Sequence, residues 1–354
     1  MMQAAFFTGK EKLDVRDTPK PVLPKGGMIV RVAYAAICGT DLKTLKQSDV
    51  KMEDGKQRFM ELPRIIGHEF SGTVELSDPD IKDFSKGDRV VIFPTISCGK
   101  CYYCKIGRNE MCDKKHVVGY DCDGGFAEYT SISSKIVAGG GIIKIPDYLP
   151  LDIAAIAEPF SCAINCFELT PIPHKGSVVI IGAGPLGAFL CENARLNGAG
   201  MIILLEKNEQ QLKTARIAPA DSFLLNQGDK SITEIKNITN GRGADVVVTA
   251  CSAPSAQLQA INMVAKCGKV NLFGGLPRDK SILSIDTNMI HYKECMVTGT
   301  HGSCPEQAKK ALAYFKDTID MEKYISKKYP LFEINNAFEN AMGSNRMKIL
   351  IEME

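Results

Sequence analysis

An apolar run that ends in closely spaced glycines constrains this chain more than any other feature. Residues 178–181 are apolar without a helical period, which indicates a buried parallel strand, and Gly182 ends the run. Gly182, Gly184 and Gly187 then match the pattern G-x-G-x-x-G. The first glycine permits a tight turn, the second lets a pyrophosphate approach the backbone, and the third lets the following helix pack on the strand. The stretch therefore predicts a dinucleotide-binding βαβ unit.

The residues that follow the glycines favour one class of dinucleotide. A helix is predicted over residues 186–196, and its unpaired N-terminal N–H groups would face the phosphates, so Pro185 and Leu186 are candidate cofactor-binding residues. The next apolar run ends at Glu206, whose carboxylate can accept hydrogen bonds from both ribose hydroxyls and would repel a 2′-phosphate. We therefore expect NAD rather than NADP.

Composition limits the class of protein. The chain has 354 residues, 45% of them hydrophobic, which is enough to fill the cores of two domains. A net charge of +2 without a basic tract argues against nucleic acid or an anionic membrane as a partner. No apolar run is long enough to cross a bilayer and the N-terminus has no signal-peptide pattern, so we expect a cytoplasmic protein. The 13 cysteines, an odd number, indicate thiols and metal ligands rather than disulfides.

Two patterns of secondary structure follow one another along the chain. Residues 1 to about 150 contain short strand-like runs separated by Gly, Pro and Asp, as expected for a small barrel or bent sheet. From about residue 158 strands alternate with helices, and six strands with crossovers make a complete doubly wound dinucleotide domain. Gly274 and Gly275 follow the fifth of these strands and are expected to contact the cofactor. The predicted strands beyond the first two of this domain are 222–225, 244–249, 269–273 and 295–300, with helices at 231–239 and 255–266.

Four cysteines form a compact motif in the first half of the chain. Cys98, Cys101, Cys104 and Cys112 have the spacing C-x2-C-x2-C-x7-C. Four thiolates this close in sequence can bind one tetrahedral zinc ion and leave no open coordination position. An iron–sulfur cluster would also accept four thiolates, but the fourth cysteine is too remote for a ferredoxin pattern and no second set follows. We therefore predict a structural zinc site.

A second set of metal-binding residue types is scattered: Cys38, then His68 with Glu69, then Glu158. Taken singly, each has an ordinary structural role, as a core thiol, a turn residue or a charge at a helix N-terminus. A cysteine, a histidine and one or two carboxylates leave a coordination position open for water or a substrate oxygen. On a chain that also carries a dinucleotide motif, this set predicts a catalytic zinc site.

With these motifs in this order, the chain resembles the zinc-dependent medium-chain dehydrogenase family, and within it the polyol (sorbitol or iditol) dehydrogenase branch. The resemblance covers essentially the whole chain, through Cys38-Gly-Thr-Asp, Gly67-His-Glu, the four cysteines, Asp123-Gly-Gly-Phe-Ala-Glu-Tyr129, Glu158-Pro and the glycine motif. It implies an α/β protein with a GroES-like β-barrel catalytic domain (residues 1–157 and 300–354). It also implies a Rossmann doubly wound parallel sheet that binds NAD (residues 158–299), and a cleft between the domains that holds the catalytic zinc. Relatives pair subunits through the strand at 295–300, so a homodimer or homotetramer is implied.

The resemblance also implies roles for single residues. Cys38 and His68 match ligands of the catalytic zinc. Glu69 matches a residue that binds this zinc directly in some members and lies behind a ligand in others. Glu158 matches a glutamate of the polyol branch that binds the zinc directly or through water. Thr40 matches the hydroxyl of a proton relay, and a helix N-cap is its alternative role.

Together these residues predict an oxidoreductase that acts on a small-molecule secondary alcohol. A zinc ion that lowers the pKa of bound water from about 15.7 to about 7 should act similarly on a bound hydroxyl, while NAD takes the hydride. The expected substrate is a polyol or sugar alcohol, oxidised to a ketose. An L-threonine 3-dehydrogenase or a polyol-phosphate dehydrogenase would use the same chemistry. A catalytically inactive structural relative and a zinc-dependent DNA-binding module are the alternatives outside enzymes.

The chain departs from the sorbitol branch after Gly299. That branch carries an Arg-Tyr pair shortly after the corresponding glycine, for the hydroxyls of the substrate, whereas this chain continues with Thr300 and His301. The charged segment 47–64 lies where loops of the family border the cleft. It is expected either to shape a pocket for a hydroxylated or phosphorylated substrate or to be a solvated loop.

Overall fold

A computed structural model of the protein describes residues 1–9, 11–47, 50–53, 56–315 and 318–353. The chain divides into two compact units. The first comprises Met1–Ser161, Ser303–Gly343 and Lys348–Glu354, and the second comprises Cys162–Gly302 and Ser344–Met347. Among the helices of the described residues, none has both the length and the hydropathy needed to span a membrane.

The first unit is built on a seven-stranded sheet with the strand Met28–Ala36 at its centre. This strand pairs antiparallel with Glu69–Ser77, Lys348–Glu352 and Tyr129–Ile132. Its buried valines alternate with an exposed arginine at residues 30–32, which is the two-residue period of a half-buried strand. A C-terminal strand therefore completes the sheet that the N-terminal segment begins.

Most regular elements of the first unit are short. Its strands are Met2–Phe7, Leu13–Thr18, Met28–Ala36, Val50–Glu53, Lys56–Phe59, Arg64–Ile65, Glu69–Ser77, Arg89–Ile92, Thr95–Ile96, His116–Val117, Tyr129–Ile132, Ile142–Lys144, Ile325–Pro330 and Lys348–Glu352. Its helices are Gly39–Gln47, Tyr102–Lys105, Ser134–Ala138, Leu151–Ala154, Pro305–Tyr314 and Ile334–Met342, together with the start of Ala157–Leu169.

The core of this unit joins residues from both ends of the chain. The rings of Phe126 and Phe338 pack edge to face, with centroids 5.7 Å apart and an angle of 74° between their planes. Phe7 and Phe70 are fully buried in the same cluster. Burying each such ring contributes about 1.5–3 kcal/mol, so the C-terminal segment is held to the N-terminal sheet by apolar packing as well as by strand pairing.

The charged segment 47–64 contains an antiparallel hairpin in its described part. Val50–Glu53 pairs with Lys56–Phe59, and the two residues between these strands, Asp54 and Gly55, lie outside the described residues. The segment is thus not a plain loop, and its proposed part in shaping a substrate pocket stays a prediction.

The second unit is a six-stranded parallel sheet in the order Ser222–Leu225, Met201–Glu206, Ser177–Ile181, Ala244–Thr249, Val264–Leu272 and Met296–Gly299. Numbered along the chain, this order is 3-2-1-4-5-6, that of the doubly wound dinucleotide-binding fold. All five residues of Ser177–Ile181 are buried because helices cover both faces of a parallel sheet. The helices of this unit are Pro185–Leu196, Glu209–Thr214, Asp229–Ile238, Pro254–Met263 and Asn288–His291, with the rest of Ala157–Leu169.

One boundary in this unit differs from the prediction. The helix predicted over residues 255–266 ends at Met263, and the strand predicted to begin at Lys269 begins at Val264. Val264 pairs with Ala244 across a register shift in the ladder. Pairing with the neighbouring strand thus places these residues in the sheet, although their apolar pattern also fits a helix.

Candidate active site

Strand pairing brings together two sequence motifs that the chain separates by a long segment. Ala36, near the end of the central strand, pairs with Glu69 at the start of the next strand. As a result, the sulfur of Cys38 and one ligand atom each of His68 and Glu69 lie within 4.8 Å of one another. Among the described residues, Glu158 is not a member of this group; it lies in the first turn of the helix Ala157–Leu169.

Asp41 is a buried carboxylate that organises the group. Its Oδ2 accepts a hydrogen bond from the backbone N–H of Cys38 at 2.9 Å. Its Oδ1 accepts one from the hydroxyl of Tyr120 at 3.3 Å and lies 3.4 Å from Nδ1 of His68. Because Nδ1 faces a carboxylate, Nε2 is the ring nitrogen that can bind a metal, as in the carboxylate–histidine–metal arrangement of many zinc sites.

The electrostatics of His68 follow from these neighbours. Burial disfavours a charged imidazole, but the nearby Asp41 and Cys38 outweigh it and raise the pKa of His68 well above 6.5. Asp41 and Cys38 thus favour a positive charge at the position of the imidazole. Burial is also the main cause that raises the pKa of Tyr120 well above 10, so its hydroxyl stays protonated and remains a donor.

Glu69 is fully buried and is balanced by a lysine from the C-terminal strand. Nζ of Lys348 donates to Glu69 Oε2 and, at 2.8 Å, to the backbone carbonyl of Ile37. Lys348 therefore contacts both ligand segments, at Glu69 itself and at Ile37, the residue before Cys38. The other carboxylate oxygen, Oε1 of Glu69, is buried without a hydrogen-bond partner in the described part of the chain.

Thr40 is the second residue of the helix Gly39–Gln47 rather than the residue that caps it. Its backbone N–H donates to Cys38 Sγ at 3.5 Å, and its hydroxyl oxygen lies 3.6 Å from the same sulfur. Thr40 is exposed. Its hydroxyl is thus next to a candidate metal ligand and open to solvent.

A thiol, an imidazole and a carboxylate are the donor types that zinc binds in proteins, and they converge here. The unpartnered Oε1 of Glu69 is a further sign that a cation fits, because buried carboxylate oxygens rarely lack a partner. The residues present therefore fit a zinc ion with fewer protein ligands than a closed site.

The four cysteines form a second, separate group. The four sulfur atoms of Cys98, Cys101, Cys104 and Cys112 lie within 4.8 Å of one another, with 3.5 Å between those of Cys101 and Cys104. A zinc ion with bonds of about 2.3 Å in tetrahedral geometry places its sulfur ligands about 3.8 Å apart. Backbone N–H groups of Lys100 and Cys101 lower the pKa of Cys98 to about 6, which favours the thiolate that binds metal. Burial raises the pKa of Cys112 to about 12, so a metal must displace its proton.

The glycine motif forms the turn that its sequence predicts. Gly182 has φ +114°, a conformation that L side chains rarely adopt. A Cβ atom on Gly187 would lie 1.9 Å from the carbonyl oxygen of Gly182, so only glycine allows the helix to approach the strand this closely.

The start of the following helix is accessible. Gly184 immediately precedes the helix Pro185–Leu196, and a Cβ atom on it would meet nothing within 4 Å. Pro185 and Leu186 are the first two helical residues, where backbone N–H groups have no intrahelical acceptor. The turn therefore offers space and hydrogen-bond donors to a phosphate group.

Glu206 lies beside this turn at the end of the strand Met201–Glu206. Its Oε2 accepts a hydrogen bond from the N–H of Ala183 at 2.9 Å, and its Oε1 from that of Asn208 at 3.0 Å. The carboxylate is thus fixed next to the glycines, at the strand end where the adenosine ribose binds in this fold.

Gly274 and Gly275 follow the fifth strand of the sheet, but they differ in their surroundings. The N–H of Gly274 donates to the carbonyl of Thr249 at 2.6 Å, and a Cβ atom on it would lie 2.4 Å from the carbonyl oxygen of Cys251. Space is open beside Gly275. Gly274 is therefore required for packing, whereas Gly275 leaves its backbone accessible.

Comparison with known proteins identifies the family of this chain. Residues 24–147 match the family model of the alcohol dehydrogenase GroES-like domain, and residues 185–317 match that of the zinc-binding dehydrogenases. L-threonine 3-dehydrogenase of Pyrococcus furiosus is 34% identical over 296 residues, which cover 83% of this chain and 80% of that protein. This chain belongs to the zinc-dependent medium-chain dehydrogenases.

Other members of the family match along nearly the full length of this dehydrogenase. D-arabitol-phosphate dehydrogenase of Enterococcus avium is 28% identical over 351 residues, with 97% of this chain and 95% of that protein covered. A protein of Sinorhizobium meliloti described as a zinc-binding dehydrogenase, with NADP bound in its crystal structure, has a TM-score of 0.87 at 25% identity and 99% coverage of each chain. The predicted α/β fold class, with GroES-like and Rossmann parts, is confirmed, as are enzyme status and membership of a zinc-binding dehydrogenase family. The preference for NAD over NADP stays a prediction. The substrate is a small-molecule alcohol.

The roles assigned to single residues in this dehydrogenase stay predictions, but the structure adds partners that the sequence did not single out. Asp41 belongs to the motif Cys38-Gly-Thr-Asp, whereas Tyr120, Lys348 and Gln211 belong to none of the sequence motifs. Gln211 donates to the carbonyls of Ala183 and Arg346 at 2.9 and 3.0 Å, and accepts from two N–H groups of residues 345 and 346. Its amide thereby uses its full bonding capacity beside the glycine turn. These partners lie at irregular sequence distances from the Cys38 and His68 motifs. No sequence pattern therefore links them to the site.

Proposed function

We propose that this dehydrogenase oxidises a secondary hydroxyl of a polyol or sugar alcohol to a ketone, with NAD as the hydride acceptor. The observation that carries the proposal is the convergence of Cys38, His68 and Glu69 within 4.8 Å, backed by the buried Asp41. We assign Cys38 and His68 as ligands of the catalytic zinc. Cys98, Cys101, Cys104 and Cys112 are assigned to a structural zinc.

The zinc, when bound, supplies a Lewis acid that makes a coordinated hydroxyl acidic near neutral pH. The side chains around it then have separate tasks. Thr40, exposed and 3.6 Å from Cys38 Sγ, is positioned to accept the hydroxyl proton of the substrate and pass it to solvent. Asp41 orients His68, and Lys348 neutralises one oxygen of Glu69. The result is a site whose charge is balanced and whose proton path leads outward.

Glu158 is assigned a supporting part. It lies outside the group of three ligands in the described residues, which supports contact with the metal through water rather than direct binding. Glu69 holds one free oxygen within that group and is the nearer carboxylate. From the family resemblance we assign the catalytic domain to residues 1–157 and 300–354, bounds that differ by a few residues from those of the compact unit Met1–Ser161, Ser303–Gly343 and Lys348–Glu354.

Residues 158–299 are assigned to NAD binding. Gly182, Gly184 and Gly187 with the helix start at Pro185 and Leu186 would hold the pyrophosphate, and Gly275 would lie against the nicotinamide half. Glu206, fixed by backbone N–H groups, favours NAD over NADP. Replacing Glu206 with Gln should raise KM for NAD and lower KM for NADP, as measured in steady-state assays with either cofactor. A preference for NADP in the unchanged enzyme would contradict the assignment.

We further propose a homodimer or homotetramer built on the strand Met296–Gly299. In the described chain this edge strand pairs on one side only, and Met296 is 57% exposed. An unpaired apolar edge invites pairing with a second copy. Replacing Met296 with Lys should yield monomers, as determined by light scattering. A monomeric unchanged protein would refute this part of the proposal.

A second candidate substrate is L-threonine, favoured by the 34% identical relative named for that activity. The decisive experiment measures NADH formation at alkaline pH with short polyols, polyol phosphates, butanediols and L-threonine, together with zinc analysis. Selective turnover of a polyol with two zinc ions per chain is expected. Turnover of threonine alone would replace the proposed substrate, and no turnover of any alcohol by zinc-loaded protein would contradict the proposed function.

A further inference from the structure

Tyr120 contacts the candidate zinc site without being one of its ligands. The side chain is 5% exposed, and its hydroxyl donates to Asp41 Oδ1 at 3.3 Å. Its ring centroid lies 5.5 Å from that of His68, with an angle of 48° between the planes. The side chain of Thr44, also buried, hydrogen-bonds Tyr120. One residue thus touches both the metal-binding histidine and the carboxylate behind it.

The carboxylate of Asp41 needs more than one contact to hold its orientation. Its Oδ2 accepts a hydrogen bond from the N–H of Cys38, and one hydrogen bond alone would allow the carboxylate group to tilt about it. The hydroxyl of Tyr120 supplies a second donor, at the oxygen that faces His68. Asp41 is completely buried, so no solvent molecule at the protein surface can take over this bond.

We propose that Tyr120 is a positioning residue for the catalytic zinc. It holds Asp41 in the orientation that directs Nε2 of His68 toward the metal, and its ring limits the tilt of the imidazole. The inference rests on the proposed zinc-binding function of Cys38 and His68. It concerns the strength and geometry of metal binding rather than any step of the reaction.

The expected effect is moderate. Removing a hydrogen-bond partner of a metal-binding histidine typically lowers metal affinity 10- to 100-fold. Tyr120 acts on Asp41, whose Oδ1 lies 3.4 Å from Nδ1 of His68, and is thus one bond farther from the metal, so we expect an effect at or below the lower end of this range. Replacing Tyr120 with Phe should accelerate release of the catalytic zinc about three- to tenfold.

The test measures zinc release from the intact, zinc-loaded enzyme to a chelating dye. Two kinetic phases are expected, and the phase that disappears in the Cys38→Ser variant belongs to the catalytic site. Tyr120→Phe keeps the ring and should accelerate this phase only, with the four-cysteine phase unchanged. Tyr34→Phe is the matched control, because its hydroxyl is bound instead to Glu352 at 2.7 Å. An unchanged catalytic phase in folded Tyr120→Phe would overturn the inference.

A spectroscopic measurement separates positioning from general stability. With cobalt in the catalytic site, Tyr120→Phe should shift the visible d–d bands, while Tyr34→Phe should leave them in place. If Tyr120→Phe does not fold, Thr44→Val removes the bond to the phenol and should accelerate zinc release to a smaller extent. Unchanged release and unchanged bands in that variant would equally overturn the inference.

The outcomes also distinguish this inference from the proposed function. An unchanged enzyme that holds one zinc ion, with no phase lost in Cys38→Ser, would contradict the zinc role of Cys38 and hence the proposed function. Two zinc ions with a Cys38-dependent phase that Tyr120→Phe leaves unaltered would contradict the inference on Tyr120 alone.

Discussion

The two metal-binding regions of this dehydrogenase are built in opposite ways. The four cysteines come from one segment, residues 98–112, and neighbouring backbone N–H groups stabilise the thiolate of Cys98. Cys38, His68 and Glu69 come from segments that meet only through strand pairing, and buried side chains support them. A local loop can surround a metal with its own ligands and close the site. A site assembled from several strands leaves a coordination position open and depends on the surrounding fold.

The charges of the two regions differ for the same reason. In the cysteine segment, hydrogen bonds from backbone N–H groups lower the pKa of Cys98 to about 6. At the scattered site, buried side chains face one another instead, with Lys348 paired with Glu69 and Asp41 next to His68. Substitution of a metal ligand should therefore affect mainly activity at the scattered site and mainly stability in the cysteine segment.

The largest effect is expected from Cys38→Ser. The variant loses the catalytic zinc, which contributes several kcal/mol to the stabilisation of the reacting oxygen, so kcat/KM should fall about a thousandfold. Metal analysis should then find one zinc ion per chain in place of two. Cys267→Ser, at an exposed cysteine outside both regions, is the control and should keep both ions. Full activity in Cys38→Ser would remove the distinction between the two regions.

Cys104→Ser should have the converse result. Loss of the structural zinc removes a few kcal/mol of folding free energy, and about 2–4 °C per kcal/mol places the fall in Tm at roughly 10 °C. The kcat of the folded enzyme should stay close to the original value because the other site is intact. Calorimetry with parallel activity assays provides the check. A stable but inactive variant would indicate that the cysteine segment takes part in catalysis.

Lys348→Met tests whether the scattered site depends on buried charge pairs. Removing one partner leaves Glu69 uncompensated and should cost about 3 kcal/mol in urea unfolding. The double variant with Glu69→Gln should recover much of this loss, which a double-mutant cycle measures. Lys86→Met is the control, since its pairing with Glu75 is at the surface and is worth less than about 1 kcal/mol. Equal costs for the two lysine substitutions would count against the buried pair.

The smallest effect is expected from Thr40→Val. Loss of a proton-transferring group should lower kcat about a hundredfold while zinc content and the Kd for NADH stay the same. Thr40→Ser keeps a hydroxyl and should retain most of the activity. If turnover at saturating substrate were unchanged in Thr40→Val, the relay would have to involve another group.

The parts of this fold that depend on local pattern were predictable. The turn at Gly182 and Gly187 follows from steric limits that act within a few residues. The six parallel strands follow from apolar runs that alternate with helical segments. The start of the strand Val264–Leu272 was not predictable, because its first residues join a neighbouring strand at Ala244 although they also fit the preceding helix. Tertiary pairing decided that boundary.

The candidate sites divide along the same line. Residue types and spacing in the sequence determined which side chains can bind zinc and where a dinucleotide can approach the backbone, because thiols, imidazoles and glycines have these capacities wherever they are placed. The tertiary structure alone decided which buried groups face them: Lys348 on Glu69, Tyr120 on Asp41, and Gln211 on the glycine turn. A buried charge or amide is stabilised by the partner that the packing of the chain brings within about 3 Å. No periodic pattern in the sequence encodes that distance.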